Sequence, residues 1–145
     1  MVEITRFFNL LPHLGKKSCF LFGPRGTGKS FHIKKTFPNV LYIDLLKNKE
    51  RRKLDENPQL LEEMVKLEIN QHKKDTIIFI IIDEIQKIPD LLDEIHSIIE
   101  NPLYKKIRFL LTGSSPRRIK KENANMLGGR ARKLSFFPFT WFEQK

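Results

Sequence analysis

The chain has 145 residues, the size of one ordinary domain and too short for two full ones. With 40% hydrophobic and 30% charged residues, only 7 Gly and 8 Pro, it is not a collagenous, low-complexity or wholly disordered chain. A formal charge of +10 admits a polyanionic partner or simply a well-solvated surface, and the lone Cys19 excludes an intramolecular disulfide or a multi-cysteine zinc site. The longest strictly apolar run, Ile77 to Ile82, falls far short of the roughly 20 residues that span a bilayer. The start, MVEITRFFNLLPHLGKK, carries Glu3 and lacks a small-residue cleavage site. The expectation is a soluble, cytoplasmic, single-domain chain with no membrane partner.

In chain order, Ile4, Phe7, Phe8, Leu11 and Leu14 recur at helical spacing, interrupted by Pro12, and Gly15-Lys16-Lys17 follow as a loop. Ser18 to Phe22 is a short apolar run closed by Gly23, a buried strand. A helix over Lys29 to Phe37 stops at Pro38-Asn39, and Val40 to Leu45 is a second strand. Lys47 to Asp55 has no clear period and reads as a charged connector. Asn57 then caps a helix with Pro58 at its first position and Leu60, Leu61, Met64 and Leu67 as its apolar face. Thr76 to Ile82, nearly all β-branched or aromatic, is a central parallel strand buried on both sides. Pro89 to Glu100 is an amphipathic helix stopped by Asn101-Pro102. Ile107 to Thr112 is a fourth strand, Ser115 to about Met126 a basic helix, and Arg132 to Phe136 a fifth strand. Strands alternating with helices predict a three-layer α/β/α sandwich around a parallel sheet.

The sharpest motif is Gly23-Pro24-Arg25-Gly26-Thr27-Gly28-Lys29-Ser30, a full match to the GxxxxGK[ST] phosphate loop, placed between a strand and a helix as its mechanism requires. Its glycines permit a turn whose backbone N–H groups point inward at phosphate oxygens, and the helix N-terminus adds partial positive charge. Lys29 is expected to face the β- and γ-phosphates, and the Ser30 hydroxyl to coordinate Mg²⁺. Downstream, the strand ending Ile82-Asp83-Glu84 supplies the acids such a site needs: Asp83 for Mg²⁺, Glu84 to accept a proton from the attacking water. Alone, the pair reads as the start of a solvated loop; behind a phosphate loop it does not.

Three weaker features follow. Thr112-Gly113-Ser114-Ser115 ends the fourth strand, where a hydroxyl of Ser114 or Thr112 suits a γ-phosphate sensor, or an ordinary turn before a helix. Gly128-Gly129-Arg130 presents a permanently charged guanidinium on a glycine loop, suited to stabilising phosphate charge in cis or across a subunit interface. From Arg117 to Lys133 seven basic residues meet one acid, Glu122, without interleaved aromatics; nucleic acid is a partner class this patch admits without the stacking platforms of single-strand binders. His13, His32, His72 and His96 have no metal-ligand spacing.

With GPRGTGKS, FIIIDEIQKIPDLL, FLLTGSSPRRIKK and LGGRARKLSFFPFTWFE in this order, the chain resembles the AAA-type ATPase domain of bacterial and archaeal AAA family ATPases over nearly its whole length. The resemblance implies a sheet ordered 5-1-4-3-2 and ATP with Mg²⁺ as ligands. It also implies roles for Gly28, Lys29 and Ser30 in binding, Asp83 in holding metal, Glu84 in activating water and Ser114 in sensing; Arg130 maps to the family's Gly-Arg element. Family members continue into a helical lid and a C-terminal domain, whereas this chain stops at Lys145. The expected division is therefore an ATPase core alone: helix and loop over 1–17, α/β core over 18–136, aromatic tail over 137–145. Phe136, Phe137, Phe139, Trp141 and Phe142 crowd that end with no following element to cover them. Such a patch predicts self-association or a separately encoded C-terminal partner docking through residues 136–142.

Overall fold

Strands rich in β-branched and aromatic residues need both faces covered, and the fold satisfies this with helices on either side of one sheet. A computed structural model of the chain describes residues 14–23, 28–114 and 130–135, the last four as backbone only. All but Leu14 of the helix expected over Val2 to Leu14, loop residues 24–27, the basic helix over 115–126 and the tail from 136 lie outside the described residues. The strands are β1 (Ser18–Phe22), β2 (Leu41–Asp44), β3 (Ile78–Asp83), β4 (Ile107–Gly113) and β5 (Ala131–Ser135). They form a parallel sheet in the order β2-β3-β4-β1-β5, which read from the other edge is 5-1-4-3-2 as expected.

Side-chain alternation sorts the core into two layers. Ile78, Ile80 and Ile82 of β3, Phe20 and Phe22 of β1, and Phe109 and Leu111 of β4 point to one face. There they meet Leu54 of α2 (Asn48–Glu56), Leu61 and Val65 of α3 (Leu60–Gln71), and Leu91, Leu92, Ile95 and Ile98 of α4 (Leu91–Glu100). Cys19, Leu21, Ile81 and Leu110 point to the other face and pack on Leu14, on Phe37 and on Ile33 of α1 (Lys29–Thr36). The central strands β1, β3 and β4 are almost wholly buried, while β2 is half-buried at the sheet edge.

Two local expectations are corrected. The charged connector is the helix α2, whose sequence NKERRKLDE buries only Leu54. With one apolar anchor it leaves no periodic pattern to read. What holds it is that anchor, the Glu50 carboxylate accepting from the Asp44 backbone N–H at 2.8 Å, and an Arg51 guanidinium donating to Asn48 Oδ1 at 2.8 Å. In α3 the inward face is Leu61 and Val65, with Leu60, Met64 and Ile69 at its margin, whereas Leu67 is 61% exposed. That helix starts at Leu60, after a turn in which the Asn57 and Pro58 carbonyls accept from Leu60 and Leu61 N–H; its N-cap residue, Gln59, makes no side-chain cap.

A three-residue 3₁₀ turn, Pro102–Tyr104, follows α4, and the buried Tyr104 hydroxyl donates to Glu62 Oε2 at 2.8 Å, tying it to α3.

Because Leu54 is the one buried anchor of α2, Leu54→Ala is expected to cost about 2–4 kcal/mol and the exposed neighbour Arg52→Ala under about 0.5 kcal/mol. Urea-denaturation midpoints of the two variants check this, and equal midpoints contradict it.

Candidate phosphate-binding site

Parallel strands put their carboxyl ends at one edge of the sheet. Phe22 lies opposite Gly113, Ile82 opposite Leu111, and Asp44 opposite Asp83, so the tips of four strands come out level. From β1 the chain crosses to the far edge as β2, and from β4 it returns past β1 as β5. The order reverses between β1 and β4, and open α/β sheets bind ligands in the crevice outside such a reversal.

At this point β1 gives way to the phosphate-loop sequence. Gly28 stands at φ 82°, a left-handed conformation that a side chain would strain, and it caps α1: its carbonyl accepts His32 N–H at 2.9 Å. Lys29 is 5% exposed, and a buried ammonium must be hydrogen-bonded. Its Nζ donates to the Gly23 carbonyl at 2.9 Å and to the Gly113 carbonyl at 3.0 Å. The Gly113 carbonyl also accepts Gly23 N–H at 3.1 Å, so loop, helix and β4 share one anchor.

Beside it, Asp83 is buried at the end of β3 on the face that carries α1. Thr112 Oγ1 donates to its Oδ1, while Ser30 Oγ, at 3.2 Å, and Tyr42 Oη both donate to Oδ2. Burial first, then the hydrogen bond to Asp83 and that residue's charge, holds the Tyr42 phenol above the ordinary tyrosine range, so it remains a donor well into alkaline solution. The Ser30 hydroxyl and Asp83 carboxylate form a hard-oxygen pair that fits Mg²⁺, an ion that keeps several of its waters and needs few protein ligands. Among the described residues no cluster of three or more His, Cys, Asp or Glu offers a competing metal site.

Glu84 sits one residue further, at φ 62° and ψ 53°, a left-handed conformation uncommon outside glycine. The strained turn is held from both sides: Glu84 N–H donates to Thr112 Oγ1 at 3.0 Å, and the Glu84 carbonyl accepts Lys87 N–H at 3.0 Å, closing the 3₁₀ turn Ile85–Lys87. Gln86 Nε2 donates to Glu84 Oε2.

The structure thus gathers Gly23, Gly28, Lys29, Ser30, Asp83 and Glu84 at one edge, with Ser114 directly after β4. Pro24, Arg25, Gly26 and Thr27 lie outside the described residues. Of the two hydroxyls considered for a sensor, Thr112 bonds Asp83 and Glu84 directly. Arg130 is not brought to this edge. It precedes Ala131, which pairs with Ser18, the first residue of β1, whereas the phosphate loop follows Phe22, about 13 Å further along the strand. There it forms an ion pair with Glu100 at the end of α4, which also binds His96. In this arrangement Arg130 stands apart from the phosphate loop of its own chain.

The sequence offers no motif for Tyr42 or Gln86; Tyr42 is a polar-tipped aromatic two residues before Asp44, hence on the same face of β2.

A family model described as AAA domain matches residues 15–144. The chain belongs to this family. Sequence and fold together make it a P-loop nucleotide-binding core of the AAA ATPase type. Among curated proteins none matches the sequence. Among solved structures, the chain is similar to the Orc1 protein of Aeropyrum pernix, determined in complex with DNA: 19% identity and a TM-score of 0.56 over 90% of this chain. The match spans 43% of the Orc1 chain, and at this identity the likeness concerns the fold. No described helix is long and apolar enough to cross a membrane.

The Thr112 hydroxyl both donates to Asp83 and accepts from Glu84, so Thr112→Val is expected to cost about 2–4 kcal/mol, against about 1–2 kcal/mol for Tyr42→Phe. Chemical denaturation of the two variants tests the order; a costlier Tyr42→Phe reverses the ranking of these contacts.

Proposed function

We propose that this AAA domain binds Mg²⁺–ATP at the carboxyl edge of its sheet and hydrolyses it. The observation that carries the reading is the convergence of Lys29, Ser30 and Asp83: a buried cation on two carbonyls beside a hydroxyl and a carboxylate 3.2 Å apart. A cation facing the β- and γ-phosphates and two hard oxygens for the metal are what phosphoryl transfer to water requires. Bound Mg²⁺ would neutralise charge on the β- and γ-phosphate oxygens, held by Ser30 and Asp83. Lys29 contributes a second positive charge from the protein. Glu84 acts as general base: the water oxygen bonds to the γ-phosphorus, the bond to the bridging oxygen breaks with its electron pair leaving on ADP, and the water's proton passes to the Glu84 carboxylate. Ser114 is the γ-phosphate sensor of this reading. Pro24, Arg25, Gly26 and Thr27 complete the phosphate loop in it.

A second reading, DNA contact through the basic stretch 117–133, is favoured by the +10 charge and by the DNA in the Orc1 complex. DNA binding whose affinity falls steeply with salt supports it, and salt-independent or absent binding removes it.

Lys29→Ala is expected to weaken ATP binding by at least about 100-fold, since it deletes the charge facing the β- and γ-phosphates. Binding within a few-fold of wild type rejects the site. Glu84→Gln should bind ATP as the wild type does and lose about 100-fold or more in turnover, because an amide takes no proton. Undiminished turnover removes Glu84 from that role; binding with no turnover in the wild type itself points to a nucleotide-dependent binding module.

A further inference from the structure

Gln86 lies in the 3₁₀ turn behind Glu84, and its amide is divided between two surroundings. The Nε2 end donates to Glu84 Oε2, which fixes the orientation of the amide, because only the nitrogen end can donate to a carboxylate. The Oε1 end is buried and has no hydrogen-bond partner among the described residues. Buried acceptors are nearly always paired, so an unpaired one beside a candidate active site calls for a reason. Oε1 packs against the tip of β4: a Cβ on Gly113 would stand 3.0 Å from it. The Gly113 carbonyl is in turn one of the two that hold Lys29 Nζ. Gln86 therefore bridges the proposed base and the strand tip that anchors the phosphate-binding lysine.

We propose that Gln86 is a positioning residue in ATP hydrolysis: its Nε2 holds Oε2 of Glu84 while its Oε1 end packs against the tip of β4, which aims the carboxylate at the nucleophilic water. The inference rests on the hydrolytic reading of the site. Glu84 takes one proton of the attacking water as the new oxygen–phosphorus bond forms and ADP leaves with the bridging oxygen's electron pair. Gln86 contributes by geometry alone, without exchanging a proton. Glycine at 113 suits the arrangement, because any larger residue would press on the amide.

The test uses the full chain as wild type, Gln86→Ala and Gln86→Glu, with thermal melting to check that each is folded. Three quantities are measured: kcat for Mg²⁺–ATP, the Kd of ADP, and trapping of ADP by aluminium fluoride, which mimics the transferring phosphoryl group with its water in line. The proposal expects ADP affinity within about twofold of wild type, a kcat at least ~10-fold lower in both variants, and loss of the trapped complex. A residue that merely supports the turn would change stability and leave the ratio of trapped to free ADP where it was. Turnover equal to wild type in Gln86→Ala overturns the proposal, and higher turnover overturns it in favour of an amide that restrains Glu84. If the wild type itself binds ATP without hydrolysing it, the hydrolytic reading falls and takes this inference with it. A wild type that hydrolyses, a silent Glu84→Gln and an unaffected Gln86→Ala together remove Gln86 alone.

Discussion

A buried carboxylate at the tip of β3 organises this molecule. Asp83 is 3% exposed, and an acid that leaves water must be surrounded by donors or it unfolds its own site. Its donors come from three other elements: Thr112 from β4, Ser30 from α1 and Tyr42 from β2. One side chain thus ties the middle of the sheet to its edge strand and to the helix on one face. The apolar run of β3 serves the same end, since Ile78, Ile80 and Ile82 lock the strand against one helical layer while Ile81 locks it against the other. A shift of one residue in that strand would turn Asp83 into the apolar layer.

The same logic governs the positive side of the site. Lys29 is buried on two backbone carbonyls, and both belong to strand ends that the sheet holds level. Cation and carboxylate are therefore preorganised by backbone and hydroxyl groups before any ligand arrives, which is how a site spends little reorganisation on the reaction itself. The left-handed backbone at Glu84 belongs to this economy. Such a conformation costs of order 1–3 kcal/mol and persists because Thr112 Oγ1 and the 3₁₀ turn hold it from both sides.

Much of this was legible in the residues because the signals are local. Unbroken β-branched runs marked the buried strands, and the phosphate-loop sequence and the Asp83-Glu84 pair pointed by spacing to the candidate site. The misses have a common cause, which is that they depend on where elements meet. Helix α2 has one apolar residue, so nothing in NKERRKLDE distinguishes a helix anchored at Leu54 from a solvated connector. Leu67 fits a helical stripe as well as Val65 does, and only the position of α3 on the sheet decides between them. The Gly-Gly-Arg segment looked suited to phosphate, but parallel pairing of β5 with β1 starts at Ala131 and leaves Arg130 at the opposite edge. Tyr42 and Gln86 acquire meaning only through Asp83 and Glu84, residues 41 and 2 positions away in the chain.

The central claim, that Ser30 and Asp83 hold the metal through which nucleotide is bound, is tested most directly by calorimetric titration of ATP into wild type and Asp83→Asn, each with Mg²⁺ and with a chelator. The account predicts that Mg²⁺ tightens binding to the wild type by about 10-fold or more and that Asp83→Asn loses most of this dependence while still binding nucleotide through Lys29. Wild-type binding that is indifferent to Mg²⁺, or an unchanged Mg²⁺ dependence in Asp83→Asn, would contradict it.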